Sequence, residues 1–292
     1  MNDAYRTLLD ALRPHYDAHE ARQIALLVLE EAFGVGRTAA VIGEIRDFSE
    51  EEQRRFGEIG RRLRAGEPVQ YVLGRAEFLG LALDVTPATL IPRPETEQLA
   101  MLAAGRRPRR ALDAGTGSGC IALALKRAVP ACRVEAWDIS EEALAVARRN
   151  ARRLGLDVVF RRVDLLRAAE TLADEQKNGG FIGENGASEA LDLIVSNPPY
   201  VCRSEAAGMA PHVLHYEPSS ALFVPDDRAL LFYEALAALG QRRLAPDGAL
   251  MVEVNRAFAE ETAALFRTAG YADVAVHRDF VGNPRFVTAV RR

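Results

Sequence analysis

The sequence has few of the features that mark secreted, membrane or metal-binding proteins. Its three cysteines, an odd number with neither metal-type nor disulfide-type spacing, are Cys120, Cys132 and Cys202. His15 and His19 lie four residues apart with no third ligand nearby, so we expect a surface helix there and no metal site. No run approaches the roughly 20 apolar residues that span a bilayer, and residues 1–5 do not resemble the start of a signal peptide. We therefore expect a cytoplasmic protein without a membrane partner.

An excess of positive charge is also missing. The chain has 37 Lys and Arg residues against 41 Asp and Glu residues, which gives a formal net charge of −4. Proteins whose affinity comes from neutralising nucleic-acid phosphates usually have the opposite balance. The charge balance therefore argues against direct nucleic-acid binding.

The first part of the chain is predicted to be helical. Ile24 and Val28 belong to an apolar series at helical spacing, and Ser49 with Glu52 forms a capping box at the start of another helix. No strand pattern interrupts these signals. We predict a small helical domain over residues 1–74.

A region of broken pattern follows at residues 75–95. Gly80 separates two short apolar pieces, as in a hairpin. Pro87, Pro92 and Pro94 exclude a regular helix or a central strand over the second half of the region. We predict a hairpin or linker here.

Strand and helix patterns alternate over residues 96–292, which we take as a second domain. The predicted strands are residues 111–113, Arg133–Asp138, 158–163, Leu191–Ser196, 249–254, 274–277 and 286–290. The predicted helices are Cys120–Ala128, Glu141–Leu154, 228–244 and 257–269. This alternation predicts an α/β fold with a mostly parallel sheet covered on both faces. Residues 169–190 have no periodicity and are predicted to be a surface insertion.

The first strand of this domain leads into a glycine-rich turn. Gly115, Gly117 and Gly119 alternate after Asp113, and a helix pattern follows them. Glycine lets the backbone pass close to a ligand where a Cβ atom would collide. Asp138 stands 21 residues after Gly117, near the end of the next strand, which suits a carboxylate that accepts both hydroxyls of a ribose.

Two kinds of cofactor are compatible with a glycine turn and a ribose acid. A dinucleotide turn would need a glycine or alanine at position 120, where Cys120 stands. The turn with Asp113 and Gly119 resembles instead the first motif of S-adenosylmethionine-dependent methyltransferases. In those enzymes the acid meets the methionine amino end of the cofactor, which the resemblance implies for Asp113.

The fourth strand ends in the tetrapeptide Asn197-Pro198-Pro199-Tyr200. Ligands of open α/β sheets lie beyond the carboxyl ends of the strands, so the tetrapeptide is predicted to face the glycine turn. The side-chain carbonyl of Asn197 and the backbone carbonyl of Pro198 could accept both N–H groups of a planar nitrogen and turn its lone pair toward a methyl donor. We predict that Asn197 and Pro198 are catalytic. Pro199 would stiffen the backbone and Tyr200 would offer its ring face, so all four residues are predicted to bind the substrate.

The tetrapeptide resembles two groups of enzymes, the adenine-N6 methyltransferases of DNA or RNA and the protein glutamine-N5 methyltransferases. Other segments resemble the family of peptide chain release factor N5-glutamine methyltransferases, namely residues 66–74, Phe78, and residues 90–97, 216–218 and 282–285. A related family that methylates a ribosomal-protein glutamine usually has a serine at the position of Pro94. The resemblance therefore favours release factors, with adenine methylation as the alternative.

The resemblance implies a Rossmann-like class I methyltransferase that modifies the glutamine of the Gly-Gly-Gln motif of class I release factors, in preparation for translation termination. The helical domain would bind the release factor, and we expect a monomer. Arg93 and Glu217 would shape the pocket. The residues implied to hold S-adenosylmethionine are Gly115, Thr116, Gly117, Ser118, Gly119, Asp138, Asp164, Leu165 and Asn197. Leu165 departs from the aromatic residue common in the family, and Asn255 receives no role from the sequence.

Overall fold

The computed structural model describes residues 4–168 and 190–292. The chain divides into two units. The first unit is Met1–Arg75 with Met209–Glu217, and the second is Ala76–Gly208 with Pro218–Arg292. The predicted surface insertion lies outside the described residues, apart from Ala190. No helix in the described ranges has the length and hydropathy needed to cross a bilayer.

Some of the helices begin at capping signals that are readable in the sequence. The α-helices are α1 (Ala4–Leu12), α2 (Ala18–Phe33), α3 (Arg37–Ile42), α4 (Glu50–Arg64), α5 (Val69–Leu73), α6 (Pro94–Gly105), α7 (Cys120–Ala128), α8 (Glu141–Leu154), α9 (Pro211–Tyr216), α10 (Ser219–Leu222), α11 (Leu231–Arg243) and α12 (Ala259–Thr268). The predicted capping box of α4 is confirmed, since Ser49 and Glu52 each bond the other's backbone N–H. The N-cap of α2 is Asp17, whose carboxylate accepts from two backbone N–H groups, and Gly34 ends this helix in the left-handed region at φ 65°.

The first unit has its own apolar core. Helices α1, α2 and α4 supply fully buried side chains that include Leu8, Val28 and Leu63. Segment 209–217 joins this unit from the middle of the chain, which no pattern in the sequence predicted. Within the unit the Tyr216 hydroxyl donates to the Ala65 carbonyl at 2.9 Å.

The second unit is built on a seven-stranded sheet. Its strands are β3 (Arg110–Ala114), β4 (Arg133–Asp138), β5 (Val159–Arg162), β6 (Leu191–Ser196), β9 (Leu244–Glu253), β10 (Tyr271–Arg278) and β11 (Pro284–Arg291). They lie in the order β10-β11-β9-β6-β3-β4-β5. The five strands β9, β6, β3, β4 and β5 are parallel to one another. Strand β11 is antiparallel to both of its neighbours, β9 and β10. The predicted mostly parallel sheet is therefore confirmed.

Helices cover both faces of this sheet. Because side chains alternate along a strand, Ala111 and Leu193 pack on one face while Leu112 and Ile194 pack on the other. Helices α6, α7 and α8 cover the first face, and α11 and α12 cover the second. The predicted α/β architecture is confirmed.

Two short pairs of strands complete the unit. Strands β1 (Arg75–Phe78) and β2 (Leu81–Asp84) form one pair, and β7 (Val201–Cys202) and β8 (Phe223–Val224) form the other. The buried Asn150 of α8 accepts from the Asp84 N–H at 2.7 Å and donates to the Asp84 and Ser118 carbonyls, at 3.0 Å each. Asn150 thus ties β2 to the glycine turn and holds the turn in place.

Candidate active site

A cavity of about 310 Å³ lies within the second unit, at the carboxyl ends of the parallel strands. Its lining includes the turn after β3, the end of β4 and the segment after β6. Strand β3 lies between β4 and β6, so the strand order reverses here. This is the place where open α/β sheets bind their ligands.

The glycine turn is shaped for close approach by a ligand. Gly115 and Gly117 have φ values of 78° and 55°, in the left-handed region, and an added Cβ at either would meet no atom within 4 Å. The N–H groups of Gly115 and Thr116 both donate to the Trp137 carbonyl, at 2.9 and 2.8 Å, which anchors the turn to β4. The space beside Gly115 and Gly117 is therefore open to the cavity.

Gly119 is required for a different reason. Its φ is 86°, and an added Cβ would lie 3.2 Å from both the Ala147 Cβ and the Leu123 Cδ1 atoms. Gly119 therefore packs against α8 and stands behind the cavity lining, which passes from Ser118 to Cys120. The sequence implied one role for the three glycines, and the structure divides them into two.

Asp113 organises the turn from inside. Its Oδ2 atom accepts from the Thr116 hydroxyl at 2.6 Å and from the Ala122 N–H at 3.1 Å. Burial raises the pKa of this carboxyl to about 7. The side chain is fully buried and stands outside the cavity lining. The Oδ1 atom is buried and has no hydrogen-bond partner among the described residues. The implied contact of this carboxylate with the methionine amino end therefore stays a prediction.

Asp138, Asp164 and Leu165 line the cavity together. The Asp138 carboxylate accepts from the Gly117 N–H at 2.8 Å and the Ser140 N–H at 2.9 Å, and burial raises its pKa. Asp164 accepts from the Leu166 N–H at 3.0 Å. These hydrogen bonds fix both carboxylates at the cavity wall.

Asn197, Pro198 and Pro199 line the same cavity as the glycine turn, and Tyr200 stands outside its lining. The Tyr200 hydroxyl donates to Glu253 Oε1 at 3.1 Å, and burial raises the pKa of this phenol. The Asn197 Nδ2 atom donates to the Thr96 hydroxyl at 3.0 Å. Three of the four predicted substrate residues therefore line the cavity. The fourth, Tyr200, is hydrogen-bonded to Glu253 behind it.

Three polar residues near the tetrapeptide were missed in the sequence. Thr96 and Glu253 are buried and hydrogen-bonded to each other at 2.7 Å. Asn255 donates to the Tyr200 carbonyl at 3.3 Å and to Glu205 at 2.9 Å, and caps a short 3-10 helix by accepting from the Ala257 N–H. Thr96 lies within the resembling segment 90–97, but nothing in its spacing points to Glu253.

Of the two residues implied to shape the pocket, Arg93 is in the cavity lining. Glu217 belongs to the first unit. It is buried and follows α9, where its N–H donates to the Val213 carbonyl at 3.1 Å. The chain enters the cavity lining directly after it, at Pro218.

Two protein families match the chain. Residues 3–74 match the PrmC N-terminal domain, and residues 96–216 match the methyltransferase small domain. The chain is 40% identical to the release factor glutamine methyltransferase of Bacteroides thetaiotaomicron, over 100% of both chains. It is 32% identical to that of Flavobacterium psychrophilum, over 97% of this chain and 96% of the relative.

The chain belongs to the release factor glutamine methyltransferase family. A solved structure of a methyltransferase from Pyrococcus furiosus has the same fold, with a TM-score of 0.51 and 20% identity over 84% of this chain and 99% of that one. The segments that resemble release factor glutamine methyltransferases include Pro92, Arg93 and Thr96, all in the cavity lining. The family match and the geometry therefore meet at the same cavity.

Proposed function

We propose that this chain transfers a methyl group from S-adenosylmethionine to the N5 amide nitrogen of the glutamine in the Gly-Gly-Gln motif of class I release factors. One observation carries the proposal. Asn197 and Pro198 line the same cavity as Gly115, Gly117 and Asp138. Because release factors act in translation termination, we place this activity in the cytoplasm.

The cavity fits the proposed cofactor. Alternate glycines with open space beside them form a cradle that larger residues would fill. Asp138 stands at the end of the neighbouring strand and would hold the ribose hydroxyls, and Asp164 and Leu165 would hold the adenine. Ile139 is 53% exposed and lines the same wall, which adds an apolar surface for the base. When bound, the cofactor supplies an electrophilic methyl group on sulfur.

An amide nitrogen is a poor nucleophile because its lone pair is delocalised. The tetrapeptide would compensate for this low reactivity by orienting the amide. The Asn197 side-chain oxygen and the Pro198 backbone oxygen would accept the two amide N–H groups and hold the nitrogen in place. Pro198 and Pro199 restrict the backbone that carries these acceptors. Such orientation can lower a barrier by up to ~7–11 kcal/mol. We expect the proton to leave after transfer and assign no general base.

A labelling assay tests the proposal. Purified protein is incubated with methyl-labelled S-adenosylmethionine and a class I release factor, and the modified residue is located by mass spectrometry. We expect label on the Gly-Gly-Gln glutamine and none when that glutamine is replaced by alanine. Label that persists in the alanine variant contradicts the proposal. Label on a DNA or RNA control, with none on the release factor, would establish adenine methylation instead.

Asn197→Ala separates catalysis from cofactor binding. The variant loses the side-chain acceptor and the one cofactor contact implied for Asn197, but it keeps the glycine turn, Asp138 and Asp164, which are expected to supply most of the cofactor affinity. We expect the affinity for S-adenosylmethionine to stay within about threefold and the turnover to fall by about 10² or more, as when one preorganised group is removed from a reacting centre. Calorimetric titration and the labelling assay measure the two quantities. A wild-type protein that binds the cofactor and methylates nothing would indicate a binding protein without catalysis.

A further inference from the structure

A chain of hydrogen bonds runs behind the tetrapeptide. The Asn197 Nδ2 atom donates to the Thr96 hydroxyl at 3.0 Å, and this hydroxyl donates to Glu253 Oε2 at 2.7 Å. The other carboxylate oxygen of Glu253 accepts from the Tyr200 hydroxyl at 3.1 Å. Three separate elements meet here, namely the end of β6, the first turn of α6 and the end of β9.

The direction of this chain follows from the chemistry of its members. An ionised carboxylate only accepts hydrogen bonds, so the single proton of the Thr96 hydroxyl is committed to Glu253. The Thr96 oxygen is then an acceptor, and Asn197 must present its amide nitrogen to it. The two ends of the Asn197 amide are thereby distinguished, and the carbonyl oxygen is the end turned away from Thr96.

Two hydroxyl donors, one from Thr96 and one from Tyr200, each occupy one oxygen of Glu253 and give it the role of acceptor. Its side chain is 1% exposed, and burial raises its pKa. The hydrogen bonds from Thr96 and Tyr200 and the positive charge of Arg285 act in the opposite direction and favour the ionised form, while Glu95 opposes them. Thr96 is also buried, with 2% of its surface exposed. Water is therefore kept from competing for its hydroxyl.

We propose that Thr96 and Glu253 are positioning residues that fix the orientation of the Asn197 amide, so that its carbonyl oxygen accepts an N–H of the methyl-accepting glutamine. This inference rests on the proposed function. With the amide reversed, the Asn197 nitrogen would face the N–H donors of the substrate, and the amide would repel the group that it has to hold. Glu253 also braces Tyr200, so one carboxylate holds both ends of the tetrapeptide.

Two substitutions at Thr96 form a matched test. Thr96→Val keeps the shape of the side chain and removes the hydroxyl, whereas Thr96→Ser keeps the hydroxyl and removes a methyl group. We expect Thr96→Val to lower the single-turnover rate of release-factor methylation by about 10–100-fold, the size of loss seen when a group that orients a metal ligand is removed. Thr96→Ser should stay within about threefold of wild type, and both should bind S-adenosylmethionine with unchanged affinity. A valine variant as active as the serine variant, or more active, would overturn the inference, because packing alone would favour valine.

Glu253→Gln tests the direction of the chain. The glutamine amide can donate to Thr96, which allows the Thr96 hydroxyl to donate to Asn197 and permits the reversed orientation. We expect a loss of rate at least as large as for Thr96→Val, with cofactor affinity again unchanged; a rate equal to wild type would overturn the inference. Thermal melts check that each variant is folded. If Glu253→Gln does not fold, the comparison of Thr96→Val with Thr96→Ser remains the test of the inference. A wild-type protein that leaves the release factor unmodified would overturn the proposed function itself, and not only this role of Thr96 and Glu253.

Discussion

Three of the buried or half-buried carboxylates at or behind the cavity wall have different contacts, and these contacts give them different roles. Asp138 lines the wall, Glu253 stands behind the tetrapeptide and Asp113 holds the glycine turn from inside. Burial raises the pKa of all three. A raised pKa alone would not separate a ligand-binding acid from a structural one. The hydrogen-bond partners of each carboxylate make that distinction.

Asp113 should make stability depend on pH. Its pKa in the folded state is about 7, whereas an ordinary aspartate has a pKa of 3.8, so between these values the folded protein binds a proton that the unfolded chain has released. Above pH 7 the buried charge of Asp113 lowers the free energy of unfolding. This loss disappears as the pH falls toward 4. We expect the free energy of unfolding of wild type, relative to Asp113→Asn, to rise from pH 8 to pH 5. Urea unfolding of both proteins without cofactor measures this difference, and a difference that is constant with pH would contradict the assignment.

At the scale of elements, the turn between β3 and α7 has two functions, ligand binding and helix packing. It leaves room for a ligand beside Gly115 and Gly117, and it brings α7 against α8 at Gly119. The anchor to β4 through the Trp137 carbonyl keeps both parts in register. One short segment thus serves binding and packing at neighbouring positions.

Two alanine substitutions should separate these functions. Both place a Cβ at a left-handed φ, which costs about 1–2 kcal/mol per residue. Gly119→Ala also forces a contact of 3.2 Å on Ala147 and Leu123, and overpacking adds about 1–3 kcal/mol. We expect Gly119→Ala to lower the free energy of unfolding more than Gly117→Ala does.

Cofactor titration gives the second measurement for the same pair. Gly117→Ala should weaken S-adenosylmethionine binding by about tenfold or more, since about 1.4 kcal/mol of lost contact corresponds to that factor. A Gly117→Ala variant that binds the cofactor as wild type does would show that the open space beside Gly117 is not part of the site. Equal loss of stability in both variants would contradict the packing role of Gly119.

At the scale of the whole molecule, the chain leaves the second unit at Met209 and returns at Pro218. The excursion contributes α9 to the first unit, where the rings of Tyr16 and His212 lie 5.4 Å apart and Tyr216 bonds to Ala65. We propose that the helical domain over residues 1–74 binds the release factor. If so, segment 209–217 belongs to the same unit as that domain and is followed directly along the chain by Pro218 of the cavity lining.

Tyr216→Phe should loosen this excursion. The substitution removes the hydrogen bond to the Ala65 carbonyl and keeps the ring, at a cost of about 0.5–1.5 kcal/mol. We expect faster amide hydrogen exchange over Pro211–Tyr216, while exchange in β3 of the second unit stays unchanged and serves as the control. Unaltered protection of α9 would show that the hydroxyl does not hold the segment.

Much of this architecture could be predicted from local patterns. Strands Arg133–Asp138 and Leu191–Ser196 and helices Cys120–Ala128 and Glu141–Leu154 have the predicted bounds. Apolar periodicity and capping act over a few residues, so the sequence carries them directly. The predicted helix over 228–244 begins later, at Leu231, because residues 226–228 form a 3-10 turn.

The sequence by itself determined the α/β alternation, the glycine turn and the Asn197 tetrapeptide, because each is a contiguous pattern that limits its own backbone. Only the tertiary structure decided that Asp113 faces its own loop and that Asn197 is oriented by Thr96 and Glu253. Asn197 lies 101 residues from Thr96, and Thr96 lies 157 residues from Glu253. These side chains meet because the strand order places β6 beside β9 and α6 packs on β9. No spacing along the chain encodes such a meeting of distant buried groups.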